Sequence, residues 1–236
     1  MSHPYERLTP DLILDAVSSI GLEPDGHLLA LNSYENRVLQ IGIAEGTPLI
    51  AKFYRPQRWS DQAIVEEHAF AAELAGAEIP VVAPWQDHRA HTLFSHEGFR
   101  FAVFPRRGGR SPEPGDLDQL EWIGRFIGRI HLAGQARPFA HRPSLDAASM
   151  GWTAREIVMQ SPLLPPHEIE GYARASEALL NAIGTNFDKV GATPIRLHGD
   201  CHYGNILWTE QGPHFVDLDD CRNGPAVQDL WMLLDG

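Results

Sequence analysis

The sequence predicts an α+β fold in two lobes, a small β-rich lobe over residues 1–108 and a helical lobe over residues 109–236. Three observations carry that expectation. Short apolar runs bounded by turn residues crowd the first half. Stripes of apolar residues at helical spacing dominate the second half. Between them lies a Pro/Gly-rich stretch, Pro105-Arg-Arg-Gly-Gly109 through Ser111-Pro-Glu-Pro-Gly115, which suits a connector better than either kind of element.

The elements follow in chain order. Thr9-Pro10 reads as an N-cap followed by a first-turn proline. Ile13, Ala16, Val17 and Ile20 then fall at helical spacing, and Gly21 can stop the helix. Strand-like pieces come next: Leu28–Leu31, Arg37–Ile43 and Pro48–Tyr54, the last two joined by the hairpin turn Ala44-Glu-Gly46. The polar segment Asn32-Ser-Tyr-Glu-Asn-Arg37 connects the first two strands. Its backbone N–H groups and the Ser33 hydroxyl are able to meet a phosphate, although no Gly-rich phosphate loop stands there.

Lys52 lies within the apolar strand Leu-Ile-Ala-Lys-Phe-Tyr, and its period-two neighbours, Ile50 and Tyr54, do not describe a wet face. A helix is expected from about Asp61 to Ala75, with Ile64, Glu67, Ala71 and Leu74 on one stripe. A carboxylate among apolar positions needs a partner. Lys52 is the natural one for Glu67, with Glu66 as the alternative if the helix phase is off by a residue. A strand lysine paired with a helix glutamate is the device that positions nucleotide phosphates in kinases. A further strand, Gly98–Phe104, ends at Pro105, and the backbone of Val103 and Phe104 would then lie where an adenine docks.

In the second half, Leu120, Ile123, Ile127 and Ile130 mark a helix from about Asp118 to Leu132, with Gly124 and Gly128 expected at a close helix contact. A second helix runs from about His167 to Ile183. The chemistry concentrates in His198-Gly-Asp-Cys-His-Tyr-Gly-Asn205 and Phe215-Val-Asp217. Ile206–Trp208, a turn over 210–213, and His214–Val216 read as an antiparallel hairpin. Its open ends bring Asn205 and Asp217 together, an amide oxygen and a carboxylate suited to Mg²⁺, which keeps an incomplete protein shell. Asp200, five residues before Asn205, is placed to accept the proton of an acceptor hydroxyl. The spacing matches the logic of ATP-dependent phosphoryl transfer. His198 reads as an orienter of this loop, Asp229 as a helix cap that also braces the loop from behind, and Asp219 as a solvated neighbour in preference to a second metal carboxylate. A zinc site from His198, Cys201, His202 and Cys221 is disfavoured because the ligands are not paired at the usual spacings.

Composition narrows the partners. A net charge of −12 leaves no basic surplus for a nucleic-acid backbone. Two cysteines make no disulfide framework, and no apolar run approaches the roughly 18–20 residues of a membrane span. With no signal-peptide pattern at Met-Ser-His-Pro-Tyr-Glu, a cytoplasmic chain is the expectation.

Leu197–Trp208, Phe215–Asp220 and Arg222–Leu234, extended by Leu31–Val38, Lys52–Pro56, Glu66–His68 and Phe101–Pro105, resemble the aminoglycoside/homoserine/choline phosphotransferase group, and within it the bacterial stress-response kinases. The resemblance implies a protein-kinase-like fold and an ATP- and Mg²⁺-dependent serine/threonine protein kinase that is monomeric. It makes Asp200 the proton acceptor, Asn205 and Asp217 the Mg²⁺ ligands, and Ser33 an ATP contact, beside Lys52, Glu67 and Phe104 at the nucleotide. Members of the group continue through further helices, so the C-terminal lobe is expected to be incomplete here. Two alternatives stand beside the protein kinase: a phosphotransferase for small hydroxyl compounds, and a non-catalytic ATP-binding module.

Overall fold

The computed structural model describes residues 4–234. By its contacts the chain forms two compact units: the chain through Phe126 with His202–Asp219, and Ile127–Cys201 with the chain from Asp220.

The first unit is built on a five-stranded antiparallel sheet of spatial order β1-β2-β3-β5-β4. Its strands are β1 (Pro24–Leu31), β2 (Arg37–Ile43), β3 (Leu49–Phe53), β4 (Phe94–His96) and β5 (Phe99–Pro105). Helix α1 (Pro10–Ser18) precedes the sheet, with the Thr9 hydroxyl accepting from Leu12 N–H. Helix α2 (Asp61–Gly76) lies between β3 and β4 in the chain and is capped by Ser60. Period-two alternation decides which side chains of β3 go where. Ala51 and Phe53 join Ile13, Ala16 and Val17 of α1 in one core cluster. The alternate positions face the other way, where Tyr54, Ile64 of α2 and Ala102 of β5 make a second cluster. Lys52 belongs to this second face.

Two strands of the first unit come from much later in the chain, after β6 (Ile195–Leu197) of the second unit. They are β7 (Ile206–Thr209) and β8 (Gly212–Phe215). The hairpin turn is shorter than the sequence suggests: Thr209 pairs with Gly212, so β8 starts two residues ahead of His214. Both flanks of the hairpin are hydrogen-bonded. Phe215 N–H donates to the Pro80 carbonyl (2.7 Å), and Val82 N–H to the Phe215 carbonyl (3.1 Å). On the other side, Trp208 N–H donates to the Arg110 carbonyl (2.7 Å) and Arg110 N–H to that of Trp208 (3.0 Å).

Helix α3 (Leu117–Gly134) begins in the first unit and ends in the second. The second unit continues with a π-helical turn (Ala147–Trp152), α4 (Thr153–Met159) and α5 (Ile169–Val190), which Gly191 ends in the left-handed conformation (φ 56°). Strand β9 (Arg222–Gly224) pairs antiparallel with β6, and the short helix α6 (Val227–Trp231) follows. Among the described residues no helix is long and apolar enough to cross a membrane.

The glycines of α3 reverse one expectation. Gly124 and Gly128 are exposed, and a Cβ on either would meet nothing within 4 Å. The close approach is at Gly134 instead, where a Cβ would stand 2.2 Å from the Arg196 carbonyl oxygen. Gly124→Ala should therefore raise the unfolding free energy by about 0.5–1 kcal/mol through helix propensity. Gly134→Ala should lower it by about 1–3 kcal/mol, because backbone must shift. Urea denaturation of the two variants checks both signs.

Candidate active site

The first unit contains a cavity of about 350 Å³. Val38, Ile50, Phe104 and Leu207 give it apolar walls. Lys52, Glu67, His68, Arg107, Asn205 and Asp217 contribute polar lining, and Asn32 and Ser33 reach it from the β1–β2 connection. The geometry thus gathers Ser33, Lys52, Glu67, Phe104, Asn205 and Asp217 around one space, although they span most of the sequence.

Lys52 is the centre of this arrangement. Its side chain is 6% exposed, and its Nζ lies 2.8 Å from Asp217 Oδ1, 3.1 Å from Asp219 Oδ1 and 3.6 Å from Glu67 Oε1. Burial alone would lower the pKa of the ammonium. The carboxylates of Asp217, Glu67 and Asp219 outweigh it and hold the pKa well above the ordinary lysine value. The lysine is therefore a fixed cation at neutral pH. Its partner on α2 is the expected Glu67, which is 3% exposed. The helix phase is kept by the next residue, His68: Tyr54 Oη lies 2.7 Å from its Nε2, and its Nδ1 is 2.8 Å from Thr92 Oγ1. Burial, with Glu67 nearby, raises the Tyr54 pKa well above its usual value, so the phenol keeps its proton.

The hairpin positions the remaining two polar groups. Val216 N–H donates to the Asn205 carbonyl (3.0 Å), closing the open end one pair beyond Ile206 and Phe215. Asp217 then turns into the left-handed region (φ 59°). That conformation costs a non-glycine residue on the order of 1 kcal/mol or more and is characteristic of functional positions. The result is a half-exposed carboxylate, 49% accessible, facing the cavity beside Asn205. An amide oxygen and an accessible carboxylate beside a fixed cation fit the incomplete donor set of a Mg²⁺ that takes its other oxygens from phosphates and water.

Asp219 corrects the sequence reading. It is not solvated: it is 3% exposed and bridges Lys52 to Arg58, whose Nη1 lies 2.5 Å from its Oδ2. Position alone gave no sign of this, because Asp219, on a short 3₁₀ turn (Leu218–Asp220), is paired by Lys52 and Arg58 from far away in the chain.

In the second unit, Asp200 lies on the loop after β6. Asp229, 1% exposed, braces that loop: it accepts from His198 N–H at 3.0 Å, from Gly199 N–H at 2.8 Å and from His131 Nε2 at 3.0 Å. Gln228 Nε2 donates to the Gly199 carbonyl (3.2 Å), and Asp200 N–H points at His198 Nδ1 (3.4 Å). Only glycine serves at 199, where φ is +88° and a Cβ would stand 2.1 Å from the Asp220 carbonyl oxygen. His131 went unnoticed in the sequence; its one signal is a polar residue on the apolar side of α3. Cys201 and Cys221 are buried, and burial raises the Cys201 pKa, which keeps its thiol protonated.

Residues 27–236 match the model of the APH family, the phosphotransferase enzyme family. The chain belongs to that family. Stress response kinase A of Escherichia coli (strain K12) is 45% identical to this phosphotransferase over 232 residues, 98% of the chain and 70% of that relative. The serine/threonine protein kinase RdoA of Salmonella typhimurium (strain LT2) matches with the same identity and coverage. Two solved structures share the protein-kinase-like fold. A microcompartment-associated aminopropanol kinase aligns with a TM-score of 0.73 at 21% identity, over 96% of this chain and 74% of its own. Amicoumacin kinase hAmiN, in complex with AMP-PNP, Ca²⁺ and Ami, aligns at 0.72 and 18%, over 95% and 68%.

Asp229→Ala should leave the His198 and Gly199 N–H groups buried without that acceptor and lower stability by about 2–5 kcal/mol. Asp229→Asn keeps one acceptor oxygen and should cost roughly half as much. Chemical denaturation of both variants measures the difference.

Proposed function

We propose that this phosphotransferase moves the γ-phosphoryl group of ATP to a serine or threonine hydroxyl of a protein substrate, with Mg²⁺ as the cofactor. The observation that carries the reading is the convergence of Lys52, Asn205 and Asp217 on one apolar-walled cavity, within a chain that has the H-G-D-x-x-x-x-N loop. In this reading Phe104 and Ile50 flank the adenine, and Lys52, held by Glu67, meets the phosphates. The Ser33 hydroxyl and the N–H groups around it cover them. Asn205 and Asp217 hold Mg²⁺, which neutralises charge developing on the phosphoryl oxygens. Asp200 accepts the acceptor's proton, and Asp229 keeps its loop in shape. Most of the rate enhancement is positioning and charge stabilisation. The lobes are assigned as 1–108 and 109–236, and the enzyme works as a cytoplasmic monomer.

A protein acceptor is favoured by the names of the relatives at 45% identity, one of which is called a serine/threonine protein kinase. A small hydroxyl acceptor is the second reading, favoured by the fold match to an aminopropanol kinase and by a net charge of −12 that suits a cationic compound.

The test is transfer of labelled γ-phosphate with Mg²⁺ to a generic Ser/Thr protein, and in parallel to aminoglycosides, choline and homoserine. Protein labelling that falls by about 10²-fold or more in Asp200→Asn is the expected result. Transfer to a small molecule alone would replace the protein-kinase reading with the second. Nucleotide binding with no transfer to any acceptor would make the chain a binding module.

A further inference from the structure

Arg58 stands in the segment between β3 and α2, outside the residues the phosphoryl-transfer reading uses. Its guanidinium stacks near the Trp59 ring (5.3 Å) and grips Asp219. Asp219 in turn reaches Lys52 through its other oxygen. Lys52 and Arg58 therefore share one buried cluster with Glu67, Asp217 and Asp219, two cations against three carboxylates.

We infer that Arg58 is a positioning residue that reserves Asp219, so that Lys52 is available to nucleotide phosphates and Asp217 is the carboxylate left to face a cation. The inference deepens the phosphotransferase reading and rests on it. Lys52 cannot serve a triphosphate while its ammonium is the principal counter-ion of three carboxylates. Glu67 stays with it by geometry. Asp217 is half exposed and accessible to a cation. Asp219 is buried, and the guanidinium fork of Arg58 supplies a second, permanently charged partner for it. Without Arg58 the net charge of these five groups goes from −1 to −2, one more unbalanced negative charge than in the wild type. A polyanion is repelled from such a site, whereas a divalent cation is attracted to it, with Asp219 released two residues from Asp217 as an additional oxygen donor.

The two ligands must therefore respond with opposite signs, which general damage to the fold would not produce. Two binding measurements read this without catalysis: trinitrophenyl-ATP binding in the presence of a chelator, and Mn²⁺ binding to the nucleotide-free protein by electron paramagnetic resonance. In Arg58→Met, the nucleotide analogue should bind about tenfold or more weakly and Mn²⁺ about tenfold more tightly. In Arg58→Met/Asp219→Asn the imbalance is that of the wild type again, and analogue affinity should return to within about threefold of it. Unchanged analogue binding in Arg58→Met, a loss of affinity for both ligands, or no recovery in the double variant would overturn the role of Arg58. Should Arg58→Met fail to fold, Asp219→Asn alone is expected to bind the analogue more tightly and Mn²⁺ no more tightly, and weaker analogue binding would sink the inference. A wild-type chain that does not bind the analogue at all would instead overturn the nucleotide reading on which the inference stands.

Discussion

A single buried ammonium organises the candidate site. Lys52 is held within ionic reach of Glu67, Asp217 and Asp219, contributed by α2, the segment just after β8 and the 3₁₀ turn beyond it. Glu67 and Asp219 would be costly to bury without a cation beside them, and Lys52 would lose its charge to desolvation without the carboxylates. The cluster ties a strand, a helix and a hairpin that are far apart in sequence to one point on the wall of the cavity.

The rest of the first unit serves this arrangement. The alternation of β3 sends Ala51 and Phe53 to the α1 core and leaves Ile50 and Lys52 on the cavity side. The Tyr54–His68–Thr92 hydrogen bonds fix α2 beside Lys52. Hydrogen bonds to Pro80, Val82 and Arg110 hold the hairpin, so that Asn205 and the strained Asp217 are presented by a fixed frame. In the second unit one carboxylate has a comparable role: Asp229 gathers the backbone of the His198–Gly199 turn and His131 of α3.

Local pattern made much of this legible. The helical stripe of α2 with a glutamate in it, the lysine in an apolar strand, and the apolar runs on either side of Gly212 identified Glu67, Lys52 and the hairpin. Those signals work because helical and strand periodicities are short-range. What stayed hidden depended on long-range packing or on turn geometry. The burial of Asp219 follows from a 3₁₀ turn and from Arg58, 161 residues away in the chain. Gly134 instead of Gly124 or Gly128 meets the β6 backbone, and no spacing rule distinguishes an exposed helix glycine from a packed one. The grouping of His202–Asp219 with the first half of the chain is a tertiary pairing with no local signature.

The central claim is that Lys52 is the phosphate-end cation of a nucleotide site. The chain contains two lysines, Lys52 and Lys189, so the second serves as a control. The measurement is trinitrophenyl-ATP binding to Lys52→Met and Lys189→Met beside the wild type, with circular dichroism to show that each variant folds. The account predicts affinity about tenfold or more weaker in folded Lys52→Met and unchanged in Lys189→Met. Unchanged affinity in Lys52→Met, or an equal loss in both variants, would contradict it.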